Sequence, residues 1–321
     1  MLRKVLSVIL SVVMAVSVMS VAVSAEEMQT SSVMQEFEAS AVKWNGKSAL
    51  KAGKTYAVTS NLTVSKKIEI PSGTTLIAMK GAKLWINGNG SLFVKGKLNI
   101  KSGATLAVTG RLYQYKSKSI LNYGEIRFSN KANITLNGKT TIYSTGSITG
   151  TPKTLSVGAN AAITCKGKND CGKLDKYIDR TAMEARLDGF FTKAVQNSDV
   201  YGAMKYIMSD AYISDLDKTL QAFGGITFEQ LCDSFGGDYV NELLEQEIDP
   251  KTVTAITVKL TSMKSSIADE NLRAVIDSYY GGAKKCYSAD CEVTVKTTSG
   301  SYTETVELTM VEYKGKWYLL G

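Results

Sequence analysis

Histidine is missing from all 321 residues. Its absence removes Ser-His-Asp and Cys-His catalysis, HExxH metal sites and every imidazole base. Any chemistry is left to carboxylates, Lys, Tyr, or a Cys activated without His. Cysteine is also scarce: five residues, none before Cys165. A lipid-anchoring cysteine behind an export signal is therefore not expected. Cys165 and Cys171, and likewise Cys286 and Cys291, are near enough in sequence to close small disulfide loops, with free thiols as the other reading. The odd count leaves at least one thiol, such as Cys232, unpaired in a monomer. Neither spacing is Cys-x-x-Cys, and without histidine no common zinc set is complete, so no metal and no cofactor are expected.

Acidic residues are the third scarcity. Between 41 and 165 there are only Glu69 and Glu125, against 16 Lys and 2 Arg, a net charge of +16. Residues 166–321 carry 18 basic and 24 acidic residues, and the segment 26–40, EEMQTSSVMQEFEAS, has four Glu and no basic residue. Glycosidase chemistry needs two carboxylates at one bond, and a calcium site needs several. Hydrolase or lyase activity is therefore not expected in the basic half. A field of this sign attracts polyanions in a salt-dependent way. The competing reading is that lysines solvate the outer face and protect strand edges.

What is present begins with Arg3 and Lys4, an almost wholly apolar run from Val5 to Val23, and the small-residue sequence Val23-Ser24-Ala25. This is an export signal over 1–25, with an uncleaved membrane anchor as the alternative. A secreted, extracellular protein is the expected localisation, with loose association with the cell wall or surface as the other reading. Residues 26–44 follow as an acidic flexible segment.

Residues 97–108, KLNIKSGATLAV, echo KIEIPSGTTLIA at 67–78 and KLWINGNGSLFV at 83–94; looser copies are EIRFSNKANITL (125–136) and TLSVGANAAITC (154–165). The copies start at Ile68, Leu98, Ile126 and Leu155, offsets of 28 to 30 residues. Each contains two alternating apolar residues, a Gly/Asn/Ser/Lys turn and two more, the signature of short strands. Self-similar strands over more than 100 residues predict a β-solenoid over 45–165, with about 20–25 residues per coil. Inward residues would stack in ladders such as Ile70/Ile100/Phe128/Val157. An antiparallel sandwich is the alternative. The texture of these repeats resembles the β-solenoids of bacterial surface and adhesin-like proteins, including the pectin-lyase-like class. The acidic clusters that the pectin-degrading members use are missing here.

The candidate polyanion-binding residues are Lys67, Lys83, Lys95, Lys97, Lys101 and Lys131, lysines of related positions in a stretch that holds only two acidic residues. Trp85 and Phe93, each between two inward-type residues, are candidate sugar platforms.

A linker at 166–173 is followed by helical spacing from Leu174 to Val195, with Asp175 and Thr181 as helix-start residues. Helices are also expected over 197–208, 227–246 and 268–282. Strand 252–263 and a closing meander of CEVTVKTT, SYTETVELTMVEY and KWYLL complete an α+β domain over 174–321. FFTKAVQNSDVYGAMKYI (190–207) and VELTMVEYKGKWYLL (306–320) resemble the cystatin-like, nuclear-transport-factor-2-like domains of exported Gram-positive proteins. That resemblance implies a cone-shaped sheet with a pocket, and in ketosteroid-isomerase-like members an Asp base with a Tyr/Asp oxyanion hole. No catalytic residue is carried over from it.

The expected whole is two domains, an all-β solenoid then a cone-like α+β domain, forming a non-catalytic surface binding protein. Its partner would be an anionic wall or extracellular polysaccharide, or a surface protein; specific nucleic-acid recognition is not expected. The rivals are an isomerase-like enzyme in the second domain and a purely structural surface protein.

Overall fold

The computed structural model describes residues 40–234, 249–265, 276, 280, 283 and 285–320. The expected export segment, the acidic segment up to 39, and most of the helix expected over 268–282 lie outside the described residues, as does 235–248. The chain forms two compact units that divide at Thr181/Ala182.

The first unit is a parallel β-solenoid of about five coils with three strands per coil. Its first face stacks Val42–Lys43, Thr55–Val58, Thr75–Ala78, Lys97–Ile100, Ser119–Asn122, Lys139–Ile142 and Ala162–Cys165. The second face stacks Leu62–Val64, Lys83–Ile86, Thr105–Val108, Glu125–Phe128, Ser147–Thr149 and Lys168–Asp170. The third stacks Lys67–Ile70, Ser91–Val94, Arg111–Gln114, Asn133–Leu136 and Thr154–Val157. Alternation within each strand sends positions two and four inward, and Leu76, Leu84, Leu92, Leu98 and Leu106 are wholly buried. Each such side chain contributes about 1.5–3 kcal/mol by leaving water.

The expected ladder Ile70/Ile100/Phe128/Val157 is not formed. Ile70 stacks on Val94, Gln114, Leu136 and Val157 on the third face. Ile100 stands between Ala78 and Asn122 on the first face, and Phe128 beside Val108 on the second. The reason lies in how the repeat is counted. Strands begin at Lys83, Lys97, Arg111, Glu125 and Lys139, so one phrase is 14 residues and holds two strands. A coil takes three strands, so successive phrases start on the second, first, third, second and first faces in turn. Copies alike in sequence are therefore not neighbours in space.

The phrases starting at Lys83, Lys97, Arg111 and Glu125 each have one four-residue corner and one two-residue corner, and the mismatch alternates them up the solenoid. The short corners are Lys95-Gly96, Thr109-Gly110, Tyr123-Gly124, Asn137-Gly138 and Lys166-Gly167. Each sits on a long corner of the coil before it. A Cβ on Gly124 would fall on the carbonyl oxygens of Lys101 and Ala104, and one on Gly110 on those of Asn87 and Gly90. Glycine is required here by close approach of backbone to backbone.

Two buried amides lock the corners. Gln114 Nε2 donates to Lys118 O (2.8 Å) and Lys139 O (3.0 Å), while its Oε1 accepts from Gly138 N and Thr140 Oγ1, both at 3.3 Å. Asn122 Nδ2 donates to Ser147 O (2.8 Å) and its Oδ1 accepts from Gly124 N (3.2 Å). Both ends of the core are covered. Trp44 and Leu50 close the first coil, and Cys171, Leu174, Tyr177 and Ile178 the last. At that last coil Thr181 Oγ1 accepts Ile163 N (2.9 Å) and Arg180 donates to Ala161 O (2.6 Å). Trp44 thus belongs to the solenoid core, although it falls in the stretch expected to be flexible.

The second unit is α+β, as expected. Helix α1 (Asp175–Phe191) leads into α2 (Val200–Ile207), capped by Asp199, and α3 (Asp210–Gly224), capped by Ser209 and ended by Gly225 at φ 66°. A reciprocal Thr227/Gln230 capping box starts the helical residues 228–234. The strands Val253–Ser265, Lys285–Thr297, Ser301–Tyr313 and Lys316–Leu319 form an antiparallel meander in chain order. Their core includes Leu187, Phe190, Met204, Leu260, Val293, Met310 and Trp317.

Two substitutions test the corner packing. Gly124→Ala should cost about 1–3 kcal/mol by forcing the coils apart, while Gly88→Ala, whose Cβ meets nothing within 4 Å, should stay within about 0.5 kcal/mol. Gln114→Leu, similar in size, should cost about 1–3 kcal/mol because it strands buried carbonyls. Urea unfolding of the solenoid reads all three.

Candidate functional site

The three-face geometry distributes the candidate lysines. Lys67 lies on the third face, Lys83 on the second and Lys97 on the first; Lys95, Lys101 and Lys131 occupy corners. The rotation of the 14-residue phrase around a three-strand coil produces this scatter. The six residues do not form one basic stripe, and only Lys67 and Lys95 share a neighbourhood.

That neighbourhood, on the third face, is the strongest candidate site. Its outward third positions are Glu69, Phe93, Tyr113, Thr135 and Ser156, in register from coil to coil. Phe93 and Tyr113 stack at 5.8 Å between centroids, and Tyr115 meets Tyr113 edge-on at 4.8 Å. Lys67 Nζ stands 5.0 Å from the Phe93 centroid, and the Arg111 guanidinium 5.8 Å from the same ring and 5.6 Å from Tyr113. Two cations thus converge on one ring from strands two coils apart. Among the described residues neither has a carboxylate partner. Glu69 is engaged by Lys95 at 2.9 Å, and Lys95 also lies 5.2 Å from the Tyr115 centroid. Hydrogen bonding to Glu69 holds the Lys95 ammonium above its ordinary pKa. Arg111, which sequence reasoning left out, is signalled by its place at the start of a phrase.

The two candidate sugar platforms part company. Phe93 is flanked by Lys67, Arg111 and Tyr113, so its ring works as a spacer between cations. Trp85 stands on the second face, 40 % exposed, with Nε1 donating to Thr109 Oγ1 (3.2 Å) and Lys83 5.9 Å from its ring. On the same face Arg127 is neutralised by Glu125 through three contacts of 2.8–3.1 Å.

All five cysteines are free thiols, so of the two readings the loop disulfides are not formed. Cys286 and Cys291 lie five residues apart on one extended strand, about 17 Å along it and on opposite faces. Cys171 is buried in the solenoid core, while Cys165 donates to Gly167 O at 3.4 Å. Burial pushes the Cys232 and Cys291 thiols up to about 12, the reverse of nucleophile activation.

In the second unit the polar interior centres on Arg186. It donates to Lys205 O (2.7 Å) and Trp317 O (3.2 Å), and its guanidinium lies 5.2 Å from the Tyr206 ring and 5.4 Å from that of Tyr318. Tyr280, fully buried, packs 5.3 Å from Tyr318, and burial raises its phenol pKa. The buried carboxylate Asp215 is held by Lys218 at 2.9 Å, on its own helix. Among the described residues no group of three or more His, Cys, Asp or Glu is placed to hold a metal ion. No described helix is long and apolar enough to cross a membrane.

Comparison with family models, with curated proteins and with solved structures returns no match.

Alkylation of the unreduced, unfolded protein should add five labels. A cross-link between Cys165 and Cys171 or between Cys286 and Cys291 in a non-reducing peptide map would contradict the free-thiol assignment.

Proposed function

We propose that this chain is a non-catalytic, exported binding protein whose solenoid holds an anionic polymer, an acidic polysaccharide of the cell wall or extracellular space, against its third face. The observation that carries this is the convergence of Lys67 and Arg111 on Phe93 without a carboxylate between them. The stretch 41–165, net +16, supplies the long-range attraction. The remaining lysines, spread over three faces and their corners, solvate the fold and add to that field. The second unit, helices before a meander ending in Lys316–Leu319, remains a proposed relative of the nuclear-transport-factor-2-like domains and serves as a ligand- or partner-binding module. The absence of histidine and the raised thiol pKa values support the non-catalytic reading.

The purified protein should be retained on an immobilised acidic polysaccharide at low salt and released near 1 M, where the Debye length falls to about 3 Å. Replacing Lys67 and Arg111 together by Gln should weaken retention about tenfold, or ~1.4 kcal/mol. The Lys97→Gln/Lys131→Gln pair, which removes the same charge, should do much less. Equal losses would mean diffuse attraction without a site, and no retention at low salt would sink the polyanion reading.

A further inference from the structure

The first face departs from the other two. Its outward third positions are Ala57, Ile77, Asn99, Leu121, Thr141 and Thr164, a row with no charge over six stacked strands. They point out of the solenoid, yet Ala57 is 5 % exposed, Ile77 and Asn99 3 % and Thr141 6 %. The equivalent Trp85 is 40 % exposed and Arg127 is exposed. Neither Ala57 nor Ile77 belongs to the solenoid's own core cluster. Asn99 Oδ1 and Thr141 Oγ1 are buried without a hydrogen-bond partner. An uncharged outward row that is dry at Ala57, Ile77, Asn99 and Thr141, half-buried at Leu121 and Thr164, and carries unmet polar atoms is one half of an interface.

We propose that the other half is residues 26–39 of this same chain, docked lengthwise on the first face as an amphipathic strap. The chain enters the solenoid at the edge of this very sheet, where Val42–Lys43 pairs with Tyr56–Ala57. Fourteen residues in helical form reach about 21 Å. The rows from Thr55–Val58 to Lys139–Ile142 are four coil steps, about 19 Å. Thr30, Val33, Met34 and Phe37 follow the i, i+3, i+4, i+7 spacing of one helical face, matching the uncharged row. Glu26, Glu27, Glu36 and Glu38 give the strap its negative charge, and Lys97 and Lys139 line the exposed start of the same strands. The strap leaves the third face uncovered, so the polymer site does not depend on it.

Methyl-labelled full-length protein offers a direct test. The Ile77 methyls should show cross-peaks to Val33, Met34 or Phe37 that persist on dilution. Val33→Glu/Phe37→Glu should abolish them and speed acylation of Lys97 and Lys139 relative to Lys67, with the β-sheet circular dichroism unchanged. Cross-peaks that vanish on dilution would assign the face to a second copy of the chain and overturn the proposal. So would an Ile77 environment, in the unmutated protein, that contains no residue from 26–39. If the double variant fails to fold, the unmutated protein's cross-peaks alone decide.

Discussion

The solenoid depends on how closely one backbone corner can approach another. A two-residue corner must settle on the four-residue corner of the coil before it, and the contact leaves no room for a Cβ at Gly96, Gly110, Gly124, Gly138 or Gly167. That constraint sets the spacing of the glycines and so the 14-residue phrase. With strands held at four residues, two positions point in and two out, which fixes the apolar pattern as well. The hydrophobic ladders supply most of the stabilisation, but aliphatic side chains slide past one another at little cost. The corners, with Gln114 and Asn122 satisfied inside them, define which strand lies beside which, because a shifted register would strand buried amides and carbonyls.

A stack of parallel coils also has two open ends, each an unpaired edge that invites further strands. Here the ends are closed by different means. At the start Trp44 and Leu50 fold over the first coil, with Trp44 Nε1 donating to Ser48 O (2.8 Å). At the finish Leu174, Tyr177 and Ile178 cover the core, and Thr181 and Arg180 satisfy backbone groups of the last coil. Residues 174–181 thus complete the first unit while opening a helix whose later residues, from Met183, enter the second unit's core.

Much of this was legible in the sequence, and each failure has its own physical cause. Period-2 alternation and Gly/Asn turns located the paired strands of five phrases but passed over others such as Arg111–Gln114, Ser119–Asn122 and Lys139–Ile142, and the closing meander followed from its turns. Neighbour relations did not follow, because similarity between phrases reports a two-strand unit while stacking obeys a three-strand coil. The false ladder through Ile70, Ile100 and Phe128 comes from equating likeness with adjacency. The disulfide reading of Cys286 and Cys291 neglected that five residues of extended strand separate rather than close. Gln114 escaped because a polar residue at an inward position looks like a break in the pattern. Arg111 escaped because the search followed lysine alone, although position one of the phrase was the feature that recurred.

Net charge is therefore a poor measure of what the basic solenoid can do. Arg127 is paired with Glu125 and Lys95 with Glu69, and the +16 left over does not say where the other cations stand. Lys67 and Arg111 differ in being held without being neutralised. A cation over an aromatic ring gains about 0.5–1 kcal/mol at an exposed site and keeps its full charge. The ring also removes side-chain freedom that an incoming anion would otherwise have to freeze out, at about 0.5–1.5 kcal/mol per long side chain. The coil repeat sets where such rings can stand: in-register outward positions such as Phe93 and Tyr113 come within stacking distance, as do successive corner residues such as Tyr123 and Tyr143 at 3.9 Å. The corner geometry that scatters most of the lysines is thus also what assembles this one pair.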